Sequence, residues 1–182
     1  GTITGPEALP LGAQGVDFTL PFDNDAVTGY GPYIDVIVPT AGPDGYDGVS
    51  IQGVDFLGTT PVTQTIVFDA MGEAEHPFAV DAFGNPIVVN GNEGDTLLII
   101  ELPYGSFSPG NPPIDVDLTL DFSNLTDLDQ DFQLSAIPGF FLGEDQFDDP
   151  STDAPIRGPQ ADFTQTQTLY TFEKTNSAPE DE

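Results

Sequence analysis

Apolar and polar residues alternate along much of the chain, most clearly over 114–122, Ile-Asp-Val-Asp-Leu-Thr-Leu-Asp-Phe. A period of two places the apolar members on one face of an extended strand and the acids and Thr on the other, so this strand packs on one side and meets water on the other. Residues 96–102, Thr-Leu-Leu-Ile-Ile-Glu-Leu, are almost continuously apolar, the pattern of a central strand covered on both faces. Further strands are predicted over 15–22, 33–38, 49–57, 63–69, 87–89, 132–137 and 163–172, with turn residues between almost every pair. Helical periodicity is nearly absent, because 20 Gly and 18 Pro interrupt the chain every few residues. The expected fold is all-β, a two-sheet β-sandwich, immunoglobulin-like or larger, with long acidic loops. The sandwich is expected over 13–172, with 1–12 a linker or N-terminal strand arm and 173–182 a linker or the start of a following module.

Charge sets the environment. The chain carries 31 Asp and Glu against 2 Lys and Arg, a formal net charge of −29 over 182 residues. Self-repulsion on that scale favours a salty or calcium-rich medium that screens or neutralises the carboxylates, or a general halophilic solvation role for them. The same field opposes nucleic acids and anionic membrane surfaces, which need clustered Lys and Arg. With 38% hydrophobic residues and 14 Phe, the chain has enough apolar material for a core, unlike a disordered acidic tail. Zero Cys removes disulfides and thiol chemistry. No run of 18 apolar residues predicts a membrane span, and the start at Gly1 reads as a processed or excised piece.

Clustered loop carboxylates are the usual oxygen ligands of calcium. The candidates are Asp23 and Asp25, Asp44 and Asp47 in the Gly-rich loop 42–48, Asp127, Asp129 and Asp131, and the acids of 144–153. The first two pairs lead, because the glycines of 42–48 let backbone carbonyls turn inward beside Asp44 and Asp47. The spacing of Asp127, Asp129 and Asp131 mimics the opening of an EF-hand, but Phe132 and Pro138 stand where that loop needs Gly and Glu. The alternative for every cluster is a solvated acidic loop. A glycosidase pair cannot be singled out among 31 acids. His76, the single imidazole, lies before Pro77 and reads as a hydrogen-bonded loop residue rather than a catalyst. Residues 91–95, Gly-Asn-Glu-Gly-Asp, are a hairpin turn whose acids would repel phosphate. Asn124-Leu125-Thr126 is a formal glycosylation sequon, and Phe140, Phe141 and Phe147 are expected to fill core and anchor loops.

The segments Gly29-Tyr30-Gly31-Pro32-Tyr33-Ile34-Asp35, Asp44-Gly45-Tyr46-Asp47-Gly48, His76-Pro77-Phe78 and Leu102-Pro103-Tyr104-Gly105-Ser106-Phe107 resemble bacterial extracellular surface-repeat proteins, with domain-of-unknown-function repeats and isopeptide-forming fimbrial modules. The resemblance spans most of 16–159 and implies a β-sandwich within a larger exported protein. Lys174, the single Lys, falls in the expected linker, so the family's isopeptide chemistry is not expected inside this domain. The function expected on these grounds is a non-catalytic extracellular or cell-surface adhesion module stabilised by calcium. Its partners would be neighbouring modules, copies of itself, or surface glycans and proteins. The alternatives are a filament subunit assembled by strand addition through 160–172, and a secreted carbohydrate-binding domain.

Overall fold

The computed structural model describes residues 1–25, 28–45, 48–81, 83–123, 130–143 and 156–168. Among these residues every regular element is a strand, and no helix is long and apolar enough to cross a membrane. The strands are β1 (Leu9–Pro10), β2 (Val16–Phe22), β3 (Gly29–Val38), β4 (Val49–Asp55), β5 (Val62–Val67), β6 (Glu73–Val80), β7 (Pro86–Asn90), β8 (Thr96–Glu101), β9 (Ser106–Phe107), β10 (Ile114–Phe122), β11 (Asp131–Gly143), β12 (Ile156–Arg157) and β13 (Ala161–Thr168). The all-β expectation holds.

The strands form three sheets rather than two. A large sheet runs β1-β13-β11-β3-β8-β5, with β12 beside β11 and β9 beside β3. A second sheet has the order β2-β10-β4, and β6 pairs with β7 as a separate hairpin. The alternation in β10 sends Val116, Leu118, Leu120 and Phe122 inward, where they meet Ile34, Val36 and Val38 of β3 and Leu98 and Ile100 of β8. Phe18 is fully buried in this core, its ring centroid 5.2 Å from that of Phe163 and 5.4 Å from that of Phe132. The opposite face of β3 and β8 carries Tyr33, Leu97 and Ile99, which pack with Ala74, Ala79 and Val89 of the hairpin and with Phe68. The hairpin is therefore a third layer, and it explains why β8 is apolar throughout: its even positions fill one core and its odd positions the other.

The first dozen residues lie against the body. Thr4 bridges Thr19, Leu9 is fully buried, and β1 runs parallel to β13. Strand β13 itself is held between β1 and β11. The described part of 160–172, expected above as a strand donated to a neighbouring copy, is thus built into this chain's own large sheet, paired with β11 along Ala161–Thr166 and with β1 at Gln167 and Thr168.

Candidate functional site

Two constellations of polar side chains lie on the outer face of the large sheet. The first is buried. Asp35 interrupts the apolar run of β3 and is completely buried. His76 of β6 descends on it, Nε2 to Oδ1 2.9 Å. The His76 Nδ1 atom accepts hydrogen bonds from the backbone N–H of Ala79 at 2.9 Å and of Phe78 at 3.3 Å. The ring hydrogen therefore sits on Nε2 and is donated to Asp35, and the imidazole has no free lone pair with which to act as a base. Arg157 of β12 brings Nη2 to 2.8 Å from the second oxygen of Asp35, which has no aligned hydrogen-bond donor. Its Nη1 donates to the Tyr33 hydroxyl at 3.3 Å. Burial pushes the Tyr33 phenol up, against the pull of the Arg157 charge.

The single His of the chain and one of its two basic residues thus converge on one carboxylate. Tyr33, Asp35 and His76 are buried, and none of them lines the clefts described below. With both His76 ring nitrogens engaged and Asp35 buried between His76 and Arg157, this cluster is a latch that fastens the hairpin and β12 onto β3. His76 was expected in a loop. It lies in strand β6, and Pro77 fits there because the pairing with β7 is interrupted between Glu75 and Val80.

The second constellation is open. A cleft of about 520 Å³ lies where the same sheet face emerges from under the hairpin. Its floor is Ile37 of β3 and Gln133 and Ser135 of β11, brought side by side by the pairing of Ser135 with Ile37. One wall is the 39–49 connection, through Pro39, Gly42, Pro43, Gly48 and Val49. Another is the turn before β8, through Asn92 and Asp95, and Gln130, Asp131, Gln160 and Gln167 also line it. The walls are tied together. Asp95 Oδ1 accepts from the Ala41 N–H at 3.1 Å, and the Thr40 and Thr96 hydroxyls are 2.7 Å apart.

Asp95 is only 4% exposed. Burial pushes its carboxyl up, and the N–H of Ala41 and the amide of Asn92 oppose that rise. Asp162 on β13 behaves in the opposite sense. The Ser135 hydroxyl, donating at 2.6 Å, and the Gln160 amide at 2.8 Å hold its carboxyl below the usual range. Asp162, Ser135, Ile37 and Leu97 follow one another across the sheet. Three strand spacings therefore separate Asp162 from β8, about 14 Å. That exceeds the roughly 5–9.5 Å at which two carboxylates share one glycosidic bond, so Asp162 is not a pair for Asp95.

The predicted metal ligands are dispersed. Asp23 and Asp25 flank a separate cleft of about 120 Å³, and Asp23 accepts from the Asn24 N–H at 2.8 Å. Asp44 sits in the turn closed by the Gly45 N–H on the Gly42 carbonyl. Asp131 lines the large cleft and accepts from the Thr166 hydroxyl at 2.8 Å. Asp47, Asp127 and Asp129, with the acids of 144–153 and Lys174, lie outside the described residues. Among the described residues no three His, Cys, Asp or Glu side chains come together as a metal site. Several acids instead cap local backbone: Asp69 accepts from Met71 and Glu73, and Asp81 from Phe83 and Asn85. Asp35, Asp95, Ser135 and Arg157 had not been singled out from the sequence. The available signals were an acid inside the buried run 33–38 and an acid placed immediately before the buried strand 96–102.

No protein-family model matches the chain, and no curated protein matches it. Among solved structures it is similar to a chain described as "AvmM Catalyzes Macrocyclization in Alchivemycin A Biosynthesis", with 11% identity, a TM-score of 0.49, and coverage of 95% of this chain and 92% of that one. This neighbour is an enzyme, which stands against the expectation of a non-catalytic adhesion or filament module and against the exclusion of catalysis. Both expectations are withdrawn. At that identity and TM-score the likeness carries no activity over to this chain, and the reading below rests on the cleft.

Proposed function

We propose that the chain binds and processes an uncharged small molecule of metabolite size in the 520 Å³ cleft, with Asp95 as the group that gives or takes the proton. The observation that carries this is one arrangement: a carboxyl raised by burial, in the wall of a 520 Å³ cleft whose lining is rich in side-chain amides. Amides both donate and accept, so Gln133, Gln160 and Asn92 suit carbonyl, amide and hydroxyl groups. The net charge of −29 disfavours anionic ligands at the same opening. A carboxyl whose hold on its proton is strengthened by burial can donate a proton to a carbonyl or leaving group and recover it afterwards, which is general acid–base catalysis by a single residue.

The test is a fragment screen by two-dimensional NMR with two matched sets of compounds, uncharged lactams, ketones and amides in one and their carboxylate analogues in the other. The expected result is shift changes confined to Gln133, Ser135, Gln160, Asn92 and Asp95, from the uncharged set alone. Hits that map elsewhere, or an equal response to the anions, would overturn the reading.

A further inference from the structure

Strand β5 ends the large sheet, paired to β8 on one side and to nothing on the other among the described residues. Its residues are exposed apart from half-buried Ile66, with Val62 65% and Val67 63% exposed. The edge carries no charge: from Gly48 to Phe68, 21 residues include a single acid, Asp55, in a chain where 31 of 182 residues are acidic. Asp55 is occupied locally, accepting from the Gly58 N–H at 3.1 Å. Natural edge strands are usually blunted by charges, proline or bulges, and none of these falls within Val62–Val67.

The side chains of this edge read alike in both directions. A two-fold axis through a sheet edge requires residues of the same parity to face each other, since paired side chains share a face. Centred on Gln64, the sequence Val62-Thr63-Gln64-Thr65-Ile66 places Val62 opposite Ile66 of the second copy, Thr63 opposite its Thr65, and Gln64 opposite its Gln64. Each pair is self-compatible: aliphatic with aliphatic, hydroxyl with hydroxyl, amide with amide.

We infer that β5 is the contact through which two copies of this chain associate, pairing antiparallel about Gln64 to join their large sheets. The charge distribution selects a second copy over another partner. A basic protein would be drawn to the acidic surfaces, whereas a copy bearing the same −29 can approach closely only at an uncharged strip. Pairing satisfies the open backbone donors and acceptors of the edge, and salt strengthens it by screening the repulsion between the two bodies.

Sedimentation velocity of the whole chain between about 0.05 M and about 1 M sodium chloride reads this directly, the higher salt reducing the screening length to roughly 3 Å. A dimer that tightens with salt is expected. Gln64→Glu and Gln64→Lys each place like charges on the axis and should weaken the dimer by about tenfold, while an equimolar mixture of the two variants should restore it as a heterodimer. Because the chain has no Cys, Gln64→Cys should oxidise to a symmetric covalent dimer, and Thr60→Cys should not. Three results would each overturn the inference: a monomer at every salt concentration, which leaves the edge to a different partner or to none; a dimer indifferent to Gln64→Glu; or variants that fail to recover on mixing. Thermal melts of each variant confirm the fold, since Gln64 is exposed and changes there should not move it.

Discussion

Replacing Arg157 by Met removes the cation from a carboxylate that has no access to water. Asp35 is 0% exposed, and Arg157 Nη2 lies 2.8 Å from its Oδ2. His76 still donates to Oδ1 in the variant, so one oxygen keeps its partner and the other loses the positive charge beside it. Breaking a buried pair in this way costs about 3–5 kcal/mol. The Arg157 side chain is 20% exposed, so part of its interaction is already screened and the cost falls below that range, to roughly 2–3 kcal/mol. For a chain of this size that corresponds to a fall in Tm of about 4–12 °C. The assay is urea unfolding followed by far-UV circular dichroism, in which the midpoint should fall with no change in slope. Asp35→Asn in the same background keeps an oxygen for the His76 N–H and removes the stranded charge. The double variant should therefore recover most of the loss, giving a coupling of about 1–2 kcal/mol in a double-mutant cycle. A loss below about 0.5 kcal/mol for Arg157→Met, the range of an ordinary surface substitution, would refute the latch.

Asp95 has a folded pKa above its unfolded value, so its stabilising contribution is complete below the unfolded value near about 3.9 and is lost as the pH rises through the folded one. Asp95→Asn should accordingly gain stability relative to the unsubstituted chain as the pH is raised from about 3 to 7, measured by urea midpoints across that range. Asp162 runs the other way: its contribution is present above the unfolded pKa and lost as the pH falls, so Asp162→Asn should narrow the stability difference between the two chains below about pH 4. A Cβ at Gly139 would meet the Tyr33 ring at 2.5 Å. Gly139→Ala should then displace a buried aromatic next to the latch and lower stability by about 1–3 kcal/mol, read by the same denaturation. Phe18→Ala leaves a cavity between the sheets and should cost about 3–5 kcal/mol.

The strands that bury one face or both were legible in the sequence. Residues 114–122 form β10 without a change at either end, and 96–102 became β8, covered on both faces. Strand β6 was not legible, since Glu73, Glu75, His76 and Pro77 break the apolar pattern that marks a strand. Its hairpin closes over Tyr33 and Leu97 through a few small residues, Ala74 and Ala79 among them, and these give no periodic signal. Missing β6 concealed both sites. Asp35 meets His76 only once β6 is placed above β3, and the hairpin's Asn90 supplies part of the cleft lining. The acid clusters misled because many of these carboxylates serve the backbone of their own turns, as at Asp69 and Asp81.

The measurement that bears most directly on the central claim is an NMR titration of the Asp95 carboxyl carbon, first alone and then with the tightest uncharged fragment from the screen. If Asp95 is the proton-handling group of the cleft, it titrates above an ordinary aspartate and moves further up when the fragment accepts its proton in a hydrogen bond, while Asp162 stays low. A carboxyl that titrates as an ordinary aspartate, or one indifferent to a fragment bound in the cleft, would contradict the account.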